Sequence, residues 1–183
     1  GGGSRRDAGK GRGGRDQLVV EEHPGLTRGA MRIAPLTREH ALDLRTWRYP
    51  PPYDRYDLTD ADPDWLVSPE SGFHALLLGD RLIGFRSFGA DGRVPGWEYD
   101  DTALDTGGGL PPQLTGRGLG RASIATGLAY GRARLAPPAF RMSVAGFNER
   151  ALRTVGSVGF REVARFDAAN GAGSFVVLVR PER

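Results

Sequence analysis

The chain has 183 residues, of which 39% are hydrophobic, and it contains no cysteine. This length is sufficient for one domain with a hydrophobic core, and the lack of cysteine excludes disulfides, zinc–thiolate sites and a cysteine nucleophile. The formal net charge is +3, but residues 1–15 hold five basic residues and one acidic residue, so the rest of the chain is close to neutral. No apolar run reaches the ~18 residues of a membrane span and no signal-peptide pattern is present, which predicts a cytoplasmic protein without a membrane partner.

The first 28 residues differ in composition from the rest of the chain. Seven of the first fifteen are glycine, and such a segment cannot bury enough apolar surface to offset the entropy of ordering it. We therefore predict a disordered Gly/Arg-rich segment over 1–28 and a single domain over 29–183. The basic segment offers nonspecific contact with phosphates, but a linker has the same composition, so a nucleic-acid partner is not expected. The three histidines are far apart in the sequence, and no metal site is predicted.

The first elements follow from hydrophobic periodicity and from proline. Residues 31–36 alternate apolar and polar side chains and predict a strand. Thr37 is a suitable N-cap for a helix over 38–47, which the prolines that follow would end. Residues 49–72 are rich in Pro, Asp and Tyr, and they predict a long connection with a short helix around Trp65.

A β-hairpin is predicted next, with strands at 73–78 and 82–88 on either side of Gly79 and Asp80. Residues 100–110 predict a less regular strand, in which the glycines indicate a bulge or the close approach of another chain. Residues 118–135 predict a helix that two prolines end.

The last elements are a strand at 140–144, a helix over 149–158 capped by Asn148, and strands at 162–166 and 175–179. The predicted order is β-α-loop-β-β-β-α-β-α-β-β. This order predicts a mixed α/β domain of the α+β type, with a mainly antiparallel central sheet and helices on its faces.

The stretch "QLTGRGLG", residues 113–120, places three glycines where a helix begins. A helix N-terminus presents unpaired N–H groups and a partial positive charge, and glycines let the backbone approach a phosphate closely. The stretch lacks the Gly-Lys-Ser/Thr of a Walker A loop, and its G-x-G-x-G spacing departs from the Rossmann pattern. The alternative is a glycine-rich helix entry that binds no ligand.

The same region resembles a known family. "QLTGRG", residues 113–118, matches the Gln/Arg-x-x-Gly-x-Gly/Ala signature of the GNAT (Gcn5-related N-acetyltransferase) acyltransferases. "FRMSVAGFNERAL" at 140–152 resembles the fifth strand and the Asn-x-x-Ala helix of that family, and "VGF" at 158–160 resembles the Gly-Phe that follows this helix. The resemblance extends over residues 31–180.

The resemblance implies a GNAT fold in which strands four and five splay, through a bulge in strand four, around an acyl-CoA. It implies acetyl-CoA as the acyl donor and no metal. The pyrophosphate would lie on the backbone N–H groups of the glycine loop, and the pantetheine arm would pair with strand four. The implied CoA-binding residues are Gly109, Leu110, Gln113, Leu114, Thr115, Gly116, Arg117, Gly118, Leu119, Gly120, Arg121 and Asn148.

The reaction that the resemblance implies is direct attack of an amine on the thioester, so a base must take a proton. Asp105 is the first candidate for this base and Glu98 the second, with His74 as a further alternative. Many members of the family carry a proton-donating tyrosine seven residues after the asparagine, and this chain has Val155 there. Either another group such as Ser157 or a water donates the proton, or the thiolate leaves unassisted, or activity has been lost.

Tyr53, Tyr56 and Trp97 are the candidates for binding the acceptor, together with Tyr49. Five aspartates between positions 54 and 64 favour a cationic acceptor, although they also suit a solvated surface. The sequence therefore predicts an N-acetyltransferase that acts on a primary amine of a small molecule or peptide. The alternative is an acyl-CoA-binding sensor or scaffold without turnover. Dimers are common in the family, and the resemblance leaves the oligomeric state open.

Overall fold

The computed structural model describes residues 30–183, so the disorder predicted for 1–28 lies outside the described residues. Within residues 30–183, seven strands form one sheet, which four α-helices accompany. The strands are β1 (Met31–Pro35), β2 (Phe73–Leu78), β3 (Arg81–Phe88), β4 (Leu104–Gly109), β5 (Ala139–Ala145), β6 (Arg161–Asp167) and β7 (Ser174–Pro181). The helices are α1 (Arg38–Leu44), α2 (Pro63–Val67), α3 (Leu119–Leu135) and α4 (Glu149–Ser157).

The sheet has the order β1-β2-β3-β4-β5-β7-β6. All neighbouring strands are antiparallel except β4 and β5, which are parallel. The prediction of a mixed, mainly antiparallel sheet flanked by helices is therefore confirmed. The parallel pair lies at the centre of the sheet, where α3 supplies the crossover connection.

Helix ends follow the local sequence. The Thr37 hydroxyl accepts from the backbone N–H of His40 at 3.1 Å and begins α1. This helix ends at Leu44, three residues earlier than predicted, because both the N–H and the hydroxyl of Thr46 donate to the Asp43 carbonyl. Asn148 caps α4 by accepting from the N–H of Ala151 at 3.1 Å.

The hydrophobic core lies on both faces of the sheet. On one face, α3 and α4 cover a cluster that includes Ile124, Phe140 and Val155. On the opposite face, α1 covers a cluster that includes Leu44 and Trp47. None of the helices between residues 30 and 183 combines the length and the apolar character that crossing a bilayer requires.

The seam between β4 and β5 is closed at one end and open at the other. Only Leu104 and Asp105 of β4 pair with β5, opposite Phe140 and Arg141. From Thr106 onwards β4 pairs with β3 alone, so the two parallel strands diverge as predicted. The pairing of β3 with residues 106–109 has no register shift, and the bulge implied by the resemblance is therefore not what opens the seam.

Candidate active site

The diverging strands leave a cavity of about 890 Å³ that extends through the sheet. Its walls include Gly107, Gly108, Gly109 and Leu110 from β4 and its end, Met142, Ser143, Val144 and Ala145 from β5, and Tyr49, Tyr53 and Tyr56 from the segment between α1 and α2. The loop before α3 and the first turns of α3 and α4 complete the lining. Eight of the predicted CoA-binding residues line the same cavity. They are Gly109 and Leu110 at the end of β4, Thr115, Gly116, Gly118, Gly120 and Arg121 in the glycine loop and the start of α3, and Asn148 before α4.

The glycine loop has the backbone conformation that its sequence suggests. Gly116 and Gly118 have φ values of 71° and 80°, in the left-handed region that glycine adopts without steric cost. Gly118 is the N-cap of α3, so the unpaired N–H groups of the first helical turn lie beside the cavity. The positive end of the helix dipole adds to a potential that favours an anion there.

Four of the residues implied as CoA contacts do not line the cavity. Gln113 and Arg117 are exposed and outside the lining. Leu114 and Leu119 are 3% and 1% exposed and belong to a core cluster with Ile83. Their side chains anchor the loop on the sheet, so a contact with a ligand would have to come from their backbone.

Arg150 is a cavity residue that the sequence analysis missed. A β-carbon built on Gly116 would lie 3.2 Å from its Nη1 atom, which places the guanidinium directly beside the glycine loop. The guanidinium carbon also lies 5.4 Å from the centre of the Tyr53 ring. The available signal was an arginine in the first turn of a helix that the resemblance had already connected with the ligand through Asn148.

Asn148 and Tyr56 are hydrogen-bonded across the cavity. The Nδ2 atom of Asn148 donates to the Tyr56 hydroxyl at 3.3 Å, while its Oδ1 atom caps α4. Burial raises the pKa of Tyr56 above its ordinary value. Because the tyrosine oxygen accepts this bond, its own proton remains available for donation to a further acceptor.

Tyr49 has a different arrangement. Its hydroxyl donates to the backbone carbonyl of Leu110 at 2.6 Å, and its N–H donates to the Asp57 carboxylate at 3.0 Å. Burial, followed by the nearby charge of Asp57, raises the pKa of Tyr49 to about 12. Tyr49 thus fixes the end of β4 to the segment that carries the other tyrosines.

Asp105, the first candidate for the base, is 2% exposed and does not line the cavity. Arg141 donates to both of its carboxylate oxygens, at 2.7 and 2.9 Å, and Arg93 donates to one of them at 2.9 Å. The bonds from Arg141 to Asp105 raise the pKa of Arg141 above its ordinary value. Both oxygens of this buried carboxylate are thus engaged by guanidinium groups outside the cavity, so this geometry favours a structural role at the closed end of the seam.

The other acid–base candidates also lie outside the cavity. Glu98 is exposed, and His74 packs against Phe88 and Tyr130. Trp97, a candidate for acceptor binding, lies beneath the Arg141 guanidinium at 5.2 Å and is likewise outside the lining. The carboxylates that do line the cavity are Asp57 and Asp91.

Val155, at the position of the usual tyrosine, is 2% exposed and packs in the core while contributing to the cavity wall. Ser157 also lines the cavity, but its hydroxyl donates to the carbonyl of Thr154 at 2.6 Å. No cluster of three or more histidines or carboxylates within residues 30–183 is arranged to hold a metal ion.

Solved structures provide a comparison for this arrangement. AAC(6')-Ib in complex with ribostamycin and coenzyme A superposes with a TM-score of 0.66 at 18% identity, covering 83% of this chain and 93% of that one. An acetyltransferase of the GNAT family from Bacillus anthracis superposes with a TM-score of 0.61 at 13% identity, covering 82% and 94%. The chain has the GNAT fold.

Mycobacterium smegmatis RimJ in complex with CoA-disulfide has the same fold, with a TM-score of 0.60 at 15% identity over 84% of this chain and 82% of that one. A scan against protein-family models and a search of curated proteins give no match. These superpositions establish the GNAT fold of the chain, and at such low identity they establish the fold alone. Its activity has to be argued from its own residues.

Proposed function

We propose that the chain is an N-acyltransferase that transfers an acyl group, in the simplest case acetyl, from an acyl-CoA to a primary amine of a small molecule or peptide. The observation that carries this proposal is one continuous cavity that extends from the glycine loop, between β4 and β5, to the tyrosines of the 49–56 segment. A long, thin donor with phosphates at one end and a reactive group at the other fits a cavity of this form.

In this proposal the donor pyrophosphate lies on the N–H groups at the start of α3. Gly116 and Gly118 let the backbone approach its oxygens, and Arg121 and Arg150 add charge-assisted hydrogen bonds. The pantetheine arm pairs with the unpaired edge of β4 near Gly109, as an added strand would. The coenzyme A bound in AAC(6')-Ib and the CoA-disulfide bound in RimJ support such a donor.

The acceptor side is aromatic and carries negative charge. Tyr53 and Tyr56 line it, and so do the carboxylates of Asp57 and Asp91. A carboxylate attracts an ammonium group and can take its proton directly or through a water. We therefore assign the role of base to Asp57 or Asp91 in place of Asp105. The ribostamycin complex of AAC(6')-Ib supports an amine acceptor.

The chemical step is attack of the neutral amine on the thioester carbon. A C–N bond forms, the C–S bond breaks, the amine proton passes to a cavity carboxylate, and a backbone N–H near Gly109 stabilises the oxyanion. The CoA thiolate then needs a proton. We assign this donation to Tyr56, because Asn148 orients its hydroxyl and its raised pKa keeps it protonated at neutral pH.

The alternative function is an acyl-CoA-binding sensor or scaffold without turnover. The apolar Val155, where the family places its tyrosine, favours this alternative. Tyr56 reaches the same cavity from another segment, which favours the enzyme. Cytoplasmic location and dimer formation stay predictions.

Calorimetric titration of the full chain with acetyl-CoA, ADP and NAD tests the proposal. Micromolar binding of acetyl-CoA with much weaker binding of ADP and NAD supports the donor site. Release of free thiol with one member of an amine panel then separates the enzyme from the sensor. A folded protein that binds none of the three ligands would contradict both functions.

A further inference from the structure

A second feature of the cavity wall is a buried arginine, Arg86. Arg86 on β3 is 3% exposed and lies opposite Gly108 of β4. Its Nη2 atom donates to the Thr106 hydroxyl at 3.3 Å, and its Nε atom has no hydrogen-bond partner in the part of the chain that the structure describes. No carboxylate within residues 30–183 forms an ion pair with it.

Two glycines make room for this guanidinium. A β-carbon at Gly108 of β4 would lie 2.7 Å from Nη1, and one at Gly127 of α3 would lie 3.0 Å from Nε. A side chain at Gly127 would push the guanidinium away, and one at Gly108 would meet both the guanidinium and the backbone carbonyl of Phe85. The sequence thus holds a cation between the sheet and α3, where burial is costly unless an anion compensates it.

Burial lowers the pKa of Arg86 to about 10, so the group is still charged at neutral pH. An uncompensated buried charge of this kind is uncommon, because buried charges in proteins are usually paired. We therefore expect the ligand of this cavity to carry an anionic group that reaches the Arg86 guanidinium.

The position of Arg86 indicates which part of a ligand would meet it. It lines the cavity and lies against Gly108, the residue before Gly109, whereas the glycine loop lies beyond the end of β4. In the proposed binding mode the reactive end of the donor lies along Gly108 and Gly109. Arg86 is thus placed to meet the acyl group, and the phosphates would lie on the glycine loop.

We propose that Arg86 binds a carboxylate at the far end of the acyl group, so that the preferred donor is a dicarboxylic acyl-CoA such as succinyl-CoA or malonyl-CoA. This inference rests on the proposed function and specifies its donor. A guanidinium and a carboxylate form paired, charge-assisted hydrogen bonds, and an uncharged acyl group would leave the buried cation without an anion. During transfer the C–N bond forms and the C–S bond breaks, and the distal carboxylate is unchanged.

The test compares acyl-CoA donors of similar size on the full chain by calorimetry and by turnover with a common amine. Succinyl-CoA and malonyl-CoA are compared with butyryl-CoA and acetyl-CoA. We expect succinyl-CoA to bind at least about tenfold more tightly than butyryl-CoA, because one charge-assisted hydrogen bond contributes about that difference in affinity. Arg86→Met should abolish this difference and Arg86→Lys should retain part of it. Arg132→Met removes a half-exposed arginine of α3 that pairs with Glu182 and should leave the difference unchanged.

Each outcome decides the proposal. Equal affinity of the wild-type chain for succinyl-CoA and butyryl-CoA would overturn it while leaving the acyltransferase intact. An Arg86→Met variant that loses turnover equally with all donors, at unchanged affinities, would show that Arg86 stabilises the oxyanion, which also overturns the proposal. Absence of binding of every acyl-CoA would instead contradict the proposed function. If Arg86→Met does not fold, the comparison of donors on the wild-type chain and on Arg86→Lys decides.

Discussion

The two ends of the β4–β5 seam each contain a buried arginine, and the two arginines have opposite surroundings. At the closed end, Arg141 is 1% exposed and hydrogen-bonds to the carboxylates of Asp105 and Asp100. At the open end, Arg86 is 3% exposed and hydrogen-bonds to one hydroxyl, that of Thr106. The pKa of Arg141 is raised by its partners, and the pKa of Arg86 is lowered by burial.

This difference indicates that one end of the β4–β5 pair stabilises the fold and that the other end binds a ligand. At the closed end, the charges of Arg141 and Asp105 are paired within the protein, and this ion pair holds β4 and β5 together where their parallel pairing begins. At the open end, the Nε atom of Arg86 has no hydrogen-bond partner among the described residues, and residues 106–109 of β4 pair with β3 but not with β5 beside the cavity. We expect substitutions at the closed end to change stability and substitutions at the open end to change ligand binding.

Asp105→Asn should have the largest effect on stability. It removes the carboxylate from a buried guanidinium, and breaking one side of a buried pair typically costs about 3–5 kcal/mol. Urea unfolding followed by circular dichroism measures this loss. If Asp105 were instead the catalytic base, the variant would keep its stability and lose turnover per folded molecule, which would contradict the structural role.

At the open end, Gly118→Asp should weaken acetyl-CoA binding by about 100-fold while the chain stays folded. A negative charge about 4 Å from a phosphate is repelled by a few kcal/mol at an effective dielectric constant near 20. Gly118→Asn is the matched control, because asparagine has the same size and also tolerates the left-handed conformation of residue 118. Equal affinities of the two variants would mean that no phosphate lies at this helix start.

The sequence predicted the elements and the glycine loop because both depend on local signals. Hydrophobic periodicity and the Thr37 and Asn148 caps determine where these elements begin, whereas α1 ends before the prolines that were expected to end it. The loop was recognisable because Gly116 and Gly118 adopt backbone conformations that few other residues can adopt.

The charge pairing could not be predicted in the same way, because it depends on contacts between residues far apart in the chain. Asp105 and Arg141 are 36 positions apart, and only the parallel register of β4 and β5 makes them neighbours. The same carboxylate therefore suggested a base in the sequence and is a buried ion pair in the fold. Arg86 offered one signal, a charged residue in the interior of a mainly apolar strand, but strand alternation alone does not show whether a partner faces it.

Tyr56→Phe should lower turnover by about tenfold with little change in acetyl-CoA affinity, because water replaces a positioned acid only in part. The pKa of Tyr56 is raised by burial, so its proton is available at neutral pH and is lost only at a higher pH than the one at which an ordinary tyrosine loses its proton. Wild-type activity should accordingly fall above that pH, and the variant should lack this decline. Tyr130→Phe is the control, because Tyr130 of α3 packs against His74 and Phe88 and lies outside the cavity lining. Unchanged turnover in Tyr56→Phe would assign the proton to a water.

The smallest effect is expected at the exposed edge of the closed end. Asp100 also accepts from Arg141, at 2.8 Å, but its side chain is 59% exposed, so water replaces much of what Asp100→Asn removes.

Hydrogen bonds from Thr102 and then Arg141 lower the pKa of Asp100 to about 2. A depressed carboxyl pKa contributes stability above the pKa of the unfolded chain, near 4, and this contribution is lost as the pH falls towards 2. Melting temperatures measured from pH 6 to pH 2 should therefore converge for the wild type and Asp100→Asn at the acid end, with Asp80→Asn as an exposed control. A loss at pH 6 as large as that of Asp105→Asn would mean that Asp100 and Asp105 hold Arg141 equally, and that burial does not decide which carboxylate closes the seam.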